Sequence, residues 1–245
     1  MKALILAGGK GTRFMEETDI KPKPMIEIDG KPLIIHIIDH YVKHGIKDFI
    51  ILGGYKIDYF FKYFENQKLK DADEYFYLRE DIKIKILDTG IETATGGRIK
   101  QAKKYLNEPF LMTYGDGLSN VNITELINYH ESHNKLATVT AVRPPARFGS
   151  LTIENDIVID FGEKIQSKEG WINGGYFVLD NKVLEYIEND STAFEDSPLE
   201  NLSQSHNLLA FKHKGFWYPV DTIREKQTLE KFIKDNHGKI PWAND

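Results

Sequence analysis

Short apolar runs and amphipathic stretches alternate along the first half of the chain. Ala3 to Ala7 (ALILA) is apolar without alternation, as a parallel strand buried on both faces would be. Asp48 to Leu52 (DFIIL) and Phe110 to Tyr114 (FLMTY) read the same way, while Lys83 to Asp88 (KIKILD) alternates. Between these runs the spacing becomes helical. Leu33, Ile34, Ile37, Ile38 and Tyr41 share one face of a predicted helix over Lys31 to Gly45, with Gly45 placed to close it. Tyr55, Tyr59, Phe60, Tyr63 and Phe64 form a second stripe, assigned to core or subunit contact, and Ile99 to Leu106 is a third helical run. Lys68 to Glu80 is charged and irregular. The β/α alternation to about residue 145 predicts a doubly wound, mostly parallel α/β sheet with helices on both faces.

From Ala137 the texture changes. ATVTAV, LTI, IVIDF and INGGYFVLD are strand-like pieces with little helix between them, and Pro144-Pro145 marks the shift. A β-rich portion built onto the same sheet is expected, giving one domain over 1–245 whose halves meet between 143 and 144. Gly215 to Thr222 (GFWYPVDT) places an acid at the end of an aromatic strand, before an amphipathic helix over Thr222 to Ile233 that Asp221 could cap.

Composition narrows the function. Hydrophobic residues at 41% and charged residues at 28% suit a globular protein, and a net charge of −5 argues against a basic face for nucleic acid. The absence of cysteine removes disulfides and thiolate metal sites. No apolar run approaches twenty residues, so no membrane association is expected and a cytoplasmic location is. Asn122-Ile123-Thr124 and Asn201-Leu202-Ser203 match the glycosylation sequon by chance on this reading.

The chemistry concentrates in the loops that follow the apolar strands. Gly8-Gly9-Lys10-Gly11-Thr12-Arg13 lets backbone N–H groups approach a phosphate while Arg13 offers a fork of charged donors, and it reads as a triphosphate cradle. It is not the dinucleotide fingerprint, because Phe14 stands where a third glycine would be, nor is there a Walker pattern. An oxidoreductase of that class is therefore disfavoured. In Lys21-Pro22-Lys23-Pro24 two X-Pro steps hold lysines in an extended segment. Asp88 to Arg98 (DTGIETATGGR) would set N–H groups and a cation at a helix N-terminus, where Arg98 opposes the dipole unless an anion sits there. Asp116, between Gly115 and Gly117 after FLMTY, lies where open α/β sheets bind ligands.

LAGGKGTR followed by KPKPM resembles the sugar-1-phosphate nucleotidylyltransferases, and the longer GTRFMEETDIKPKPMIEIDGKP is most similar to the glucose-1-phosphate cytidylyltransferases among them. The resemblance runs through DTG, TGGR, GDG and the closing helix. It implies a Rossmann-like fold of the nucleotidyltransferase type, with 1–143 as the nucleotide-binding half and 144–245 as the sugar-phosphate and C-terminal part. It also implies a Mg²⁺-dependent transfer of CMP from CTP to a sugar 1-phosphate, glucose 1-phosphate first, by a homo-oligomer. A modified sugar 1-phosphate, or a catalytically silent sugar-nucleotide binder, stays open.

Carried onto this chain, Leu6, Ala7, Gly8, Gly9, Gly11, Thr12, Arg13, Lys23, Thr95, Gly96, Arg98 and Gly115 become nucleotide-binding candidates. Gly149, Glu163, Lys164, Asn173 and Gly174 become sugar-phosphate candidates, with Gly174 and Gly175 leaving room for a pyranose. Asp116 and Asp221 become the magnesium ligands, and Arg13, Lys23 and Lys164 the catalytic cations. The chain departs from the family pattern in a shorter segment before Asp88 and in Ile165, where Pro usually follows Glu-Lys.

Overall fold

The structure, a computed structural model, describes residues 1–11, 14, 18–65, 75–79, 81–144, 150–162 and 170–243. In chain order these form β1 (Ala3–Leu6), a small hairpin of β2 (Glu27–Ile28) and β3 (Lys31–Pro32), α1 (Leu33–Lys43), β4 (Asp48–Gly53), α2 (Ile57–Glu65), β5 (Tyr75–Leu78) and β6 (Ile82–Asp88). Then come α3 (Thr95–Gln101), β7 (Phe110–Tyr114), β8 (Gly117–Ser119), α4 (Ile123–Glu131), β9 (Ala137–Val142), the hairpin β10 (Ser150–Glu154) and β11 (Ile157–Gly162), and β12 (Ile172–Leu179). The chain closes with α5 (Ser197–Gln204), β13 (Leu208–Lys212), β14 (Trp217–Pro219) and α6 (Ile223–Asp235).

Eight strands form one sheet in the order β13-β9-β12-β7-β1-β4-β6-β5, in which only β12 and β5 run against the rest. Strands from both halves of the sequence share it, so the sheet continues past residue 143 as expected. The unbroken apolar runs follow from its two covered faces. Successive side chains of a strand point oppositely: Ala3, Ile5, Phe49 and Ile51 join the core beneath α1, α2 and α6, while Leu4, Leu6, Ile50 and Leu52 join the core beneath α3 and α5. Each such aliphatic side chain contributes about 1.5–3 kcal/mol on burial.

The chain leaves β1 for β4 and β6 on one side, then returns to place β7 on the other. That reversal opens a crevice beyond the carboxyl ends of β1 and β7, the position where open α/β sheets hold ligands.

Several local readings are corrected. Tyr75–Leu78, placed in an irregular stretch, is edge strand β5, antiparallel to β6. Helix α3 starts at Thr95, ahead of Ile99, and gives way to a 3-10 turn over Lys103–Tyr105. Helices α4 and α5 were not marked by the sequence reading; the Asn122 side chain of the supposed sequon is the N-cap of α4, accepting from Glu125 N at 3.0 Å and donating to Glu125 Oε1 at 3.0 Å. The second sequon lies within α5. Thr222 caps α6, accepting from Glu225 N, so Asp221 is spared that role. Only Phe60 and Phe64 of the α2 stripe are fully buried, and Tyr59 turns outward.

Candidate active site

The crevice at the ends of β1 and β7 is a cleft of about 420 Å³. Leu6, Ala7, Gly8, Gly9 and Gly11 line it from the β1 loop, and Thr95 and Arg98 from α3. Lys23, Gly115, Asp116 and Asp221 complete it. Gly11 has φ +62°, a conformation glycine adopts at no steric cost, and a Cβ at Gly115 would stand 2.8 Å from Pro24 and 2.9 Å from the Leu6 carbonyl. Backbone conformation therefore favours glycine at position 11, and close packing requires it at position 115.

Arg98 corrects the sequence argument. Its guanidinium donates to the carbonyls of Gly8, Gly53, Gly90 and Ile91 and to the Thr89 hydroxyl, at 2.6–3.3 Å. Loop carbonyls thus satisfy the cation that seemed to need an anion, and burial lowers its pKa from the ordinary arginine value. A Cβ on Gly8 would fall 2.1 Å from Arg98 Nη1, and one on Gly54 would fall 2.4 Å from it. Gly8 and Gly54 make room for an arginine, which holds the β1, β4 and β6 loops together. Gly96 serves packing too: its Cβ position is 2.7 Å from the Thr192 carbonyl, and the first-turn N–H of Gly97 donates to that same oxygen at 3.3 Å.

Lys23 is also placed differently. Pro22 is extended (ψ 147°), but Lys23–Met25 forms a 3-10 turn, and the side chain points inward with 12% exposure. Its Nζ donates to Asp116 Oδ2 at 2.7 Å and to Asp221 Oδ1 at 2.5 Å. Burial disfavours the ammonium, but the two carboxylates outweigh it and hold the Lys23 pKa above 10.5. Asp116 follows β7, and Asp221 arrives because β14 pairs antiparallel with β8, setting Pro219 opposite Gly117. One cationic atom sits between both carboxylates, so an oxygen of each converges on a common point. Mg²⁺ takes one or two carboxylates and fills its other positions with water and phosphate oxygens. Among the described residues no group of three or more His, Cys, Asp or Glu comes together.

A second, smaller cleft of about 140 Å³ meets the first at Tyr114, Asp116 and Asp221, with Asn173, Gly174 and Trp217 on its far side. Asn173 Nδ2 donates to Tyr114 Oη at 3.2 Å, and its Oδ1 accepts from Gly175 N at 2.8 Å. The glycines here have another reason than pyranose space. A Cβ on Gly174 would lie 2.7 Å from Val142, and one on Gly175, at φ +79°, would lie 2.5 Å from the Tyr114 ring, where the β12–β9 register shifts. The Gly174 carbonyl accepts from Trp217 Nε1 at 2.7 Å.

Sequence reasoning missed Tyr114 and Glu195. Tyr114 donates to Glu195 Oε1 at 2.6 Å while Thr95 donates to Glu195 Oε2 at 2.5 Å, so one carboxylate ties β7 to α3. Burial, with Glu195 beside it, pushes the Tyr114 hydroxyl well above its ordinary range and keeps it a donor. Glu195 precedes the Asp-Ser-Pro start of α5, where an acid reads as helix-terminal charge; nothing in the sequence sets it apart. Thr12, Arg13, Gly149, Glu163 and Lys164 lie outside the described residues.

Comparison with known proteins places the chain in a family. The family model described as nucleotidyl transferase matches residues 2–235. The chain is 46% identical to the glucose-1-phosphate cytidylyltransferase of Salmonella typhi, across 99% of this chain and 98% of that protein. It is 42% identical to the probable glucose-1-phosphate cytidylyltransferase of Bacillus subtilis, across 99% of both chains. In fold it is similar to a putative glucose-1-phosphate thymidylyltransferase from Bacillus anthracis, with a TM-score of 0.72 at 19% identity over 96% of both chains. A doubly wound sheet with a glycine loop, a lysine and two carboxylates at its switch point, matched along nearly its whole length, makes this chain a member of the nucleotidyl transferase family.

Proposed function

We propose that this chain transfers CMP from CTP to glucose 1-phosphate, forming CDP-glucose and releasing pyrophosphate, in the cytoplasm and with Mg²⁺ as its metal. The observation that carries this reading is the meeting of two clefts at Asp116 and Asp221. The larger suits a nucleoside triphosphate and the smaller a single sugar, and two polyanions can react only where their phosphates converge. The relatives with 42–46% identity supply the choice of CTP and glucose 1-phosphate.

An ionised oxygen of the sugar phosphate attacks the α-phosphorus as the bond to the β-phosphate oxygen breaks, and pyrophosphate carries the electron pair away. No general base is needed, because the nucleophile is already deprotonated. The chain supplies position and positive charge. The Gly8–Gly11 backbone approaches the triphosphate, Lys23 meets the α-phosphate, and Arg13 and Lys164 act on the β/γ and sugar phosphates. Asn173 orients the sugar through its amide. Held by Asp116 and Asp221, Mg²⁺ would neutralise phosphate oxygens. Pairing of Thr95 with Glu195 sets the entry of α3 beside the nucleotide cleft.

The test is pyrophosphate release with Mg²⁺ and glucose 1-phosphate, offering CTP, UTP, dTTP, GTP and ATP separately. Release with CTP, and at least tenfold less with the others, is expected. Preference for another nucleotide, or silence with CTP across a panel of sugar 1-phosphates, overturns the assignment.

A further inference from the structure

We propose that Lys23 is the resident counter-ion of the Asp116–Asp221 pair and is exchanged for the divalent cation, so that metal loading and delivery of Lys23 to the phosphates are one event. This rests on the reading of that pair as the metal site.

The geometry leaves little room for coexistence. Nζ lies 2.7 Å from one carboxylate oxygen and 2.5 Å from the other. A magnesium ion bound to those same oxygens at its usual distance of about 2.0–2.1 Å would press against an ammonium of like sign. Lys23 must therefore give up the pair when the cation arrives.

Its backbone is poorly suited to moving. Pro22 fixes one side, Pro24 is buried on the other, and the 3-10 turn is closed by Met25 N to Pro22 O at 2.8 Å and Ile26 N to Lys23 O at 3.0 Å. Only the four-carbon stem is free to swing. That stem passes Gly11, whose Cβ position lies 3.2 Å from Lys23 Cβ, and both residues line the nucleotide cleft. The released ammonium thus turns towards the glycine loop, where the phosphates would lie.

Two consequences follow from charge balance. Before metal entry the Lys23 ammonium balances one of the two partly exposed carboxylate charges, and after it a divalent cation balances both, so neither state leaves the pair without a counter-charge. The metal alone must compete with an internal cation, whereas phosphates give Lys23 a new partner; metal and nucleotide therefore strengthen each other's binding reciprocally.

The experiment titrates Mn²⁺ into the full-length protein without nucleotide, reading free Mn²⁺ by electron paramagnetic resonance. Lys23→Met keeps the stem and removes the charge. It is expected to bind Mn²⁺ at least tenfold more tightly than the wild type, while Asp116→Asn and Asp221→Asn lose the site. If the Asp variants lose binding but Lys23→Met binds no more tightly than wild type, the exchange is overturned and the proposed activity stands. If the Asp variants bind as the wild type does, the metal assignment falls with it. A second measurement needs no variant: acetylation of Lys23, followed by mass spectrometry, is expected to rise several-fold at saturating Mg²⁺. An unchanged rate overturns the exchange.

Discussion

Two cations of the cleft, Arg98 and Lys23, have opposite physical characters. Arg98 is spent on backbone carbonyls; Arg98→Met removes a donor from each of five acceptors, of which the Gly8 and Gly53 carbonyls keep the Tyr55 and Thr89 amides, and should cost about 1–3 kcal/mol of stability, read as a lower urea midpoint. Gly8→Ala should act through the same contact, since its new methyl group lands on the guanidinium. Lys23 is the reverse case. Lys23→Ala should keep the far-ultraviolet circular dichroism of the wild type while turnover with CTP falls by at least about 10²–10³, the loss usual when one preorganised donor is removed from a transition state. Unfolding of that variant would remove Lys23 from the catalytic set. The sequence made both residues visible, because glycine loops, X-Pro steps and TGGR are local patterns. It could not divide their labour, which depends on the Gly8, Gly53, Gly90 and Ile91 carbonyls converging from three loops. Nor could it show that Lys23 turns inward onto acids from distant strands.

Among the elements, the long apolar runs were legible because burial on both faces leaves no polar position to confuse the period. Strand β5 was not, since its four residues Tyr75–Leu78 sit in a charged stretch too irregular to show a period. Helix α4 announced itself only through Asn122 and Glu125, a cap pair easily taken for a sequon. Helix α1 carries a contact that the sequence hid. Trp242, 3% exposed, stands edge-on to His36 with ring centroids 5.3 Å apart and donates from Nε1 to His36 Nδ1 at 3.2 Å, while His36 Nε2 donates to the Ile28 carbonyl. The C-terminal segment is thereby fastened across α1 and β2. Trp242→Ala should cost about 3–5 kcal/mol, with faster hydrogen exchange in α1, the β2–β3 hairpin and the Phe216 region, whose ring also packs on Trp242. A change confined to residues beyond Ile240 would contradict that fastening.

Over the whole molecule, stability should depend on acid through its buried histidines. Burial, with His44 and Lys43 nearby, lowers the His40 pKa to about 4, while Nε2 donates to the Val121 carbonyl. His36, His130, His133 and His213 are lowered as well, each chiefly by burial. A histidine kept neutral in the fold but protonated near 6.5 when unfolded gives stability that is complete above pH 6.5 and is lost as pH falls towards 4. For His40 that loss is about 3 kcal/mol. Unfolding free energy should therefore decline over that window, and His40→Gln should flatten the decline; an unchanged slope would place the titration elsewhere. Among the described residues no helix is long and apolar enough to cross a membrane.

The pairing of Lys23 with Asp221 joins positions 198 residues apart. Translation delivers roughly 5–20 residues per second, amino terminus first. On the ribosome, β1, β4 and β6 can pair long before the second carboxylate exists. A chain interrupted between Asp116 and Asp221 holds the glycine loop and one acid, and one interrupted earlier holds neither acid, so no such fragment has a complete centre. Prematurely terminated fragments would therefore be inert towards the cell's triphosphates, and chemical competence would come late to the growing polypeptide.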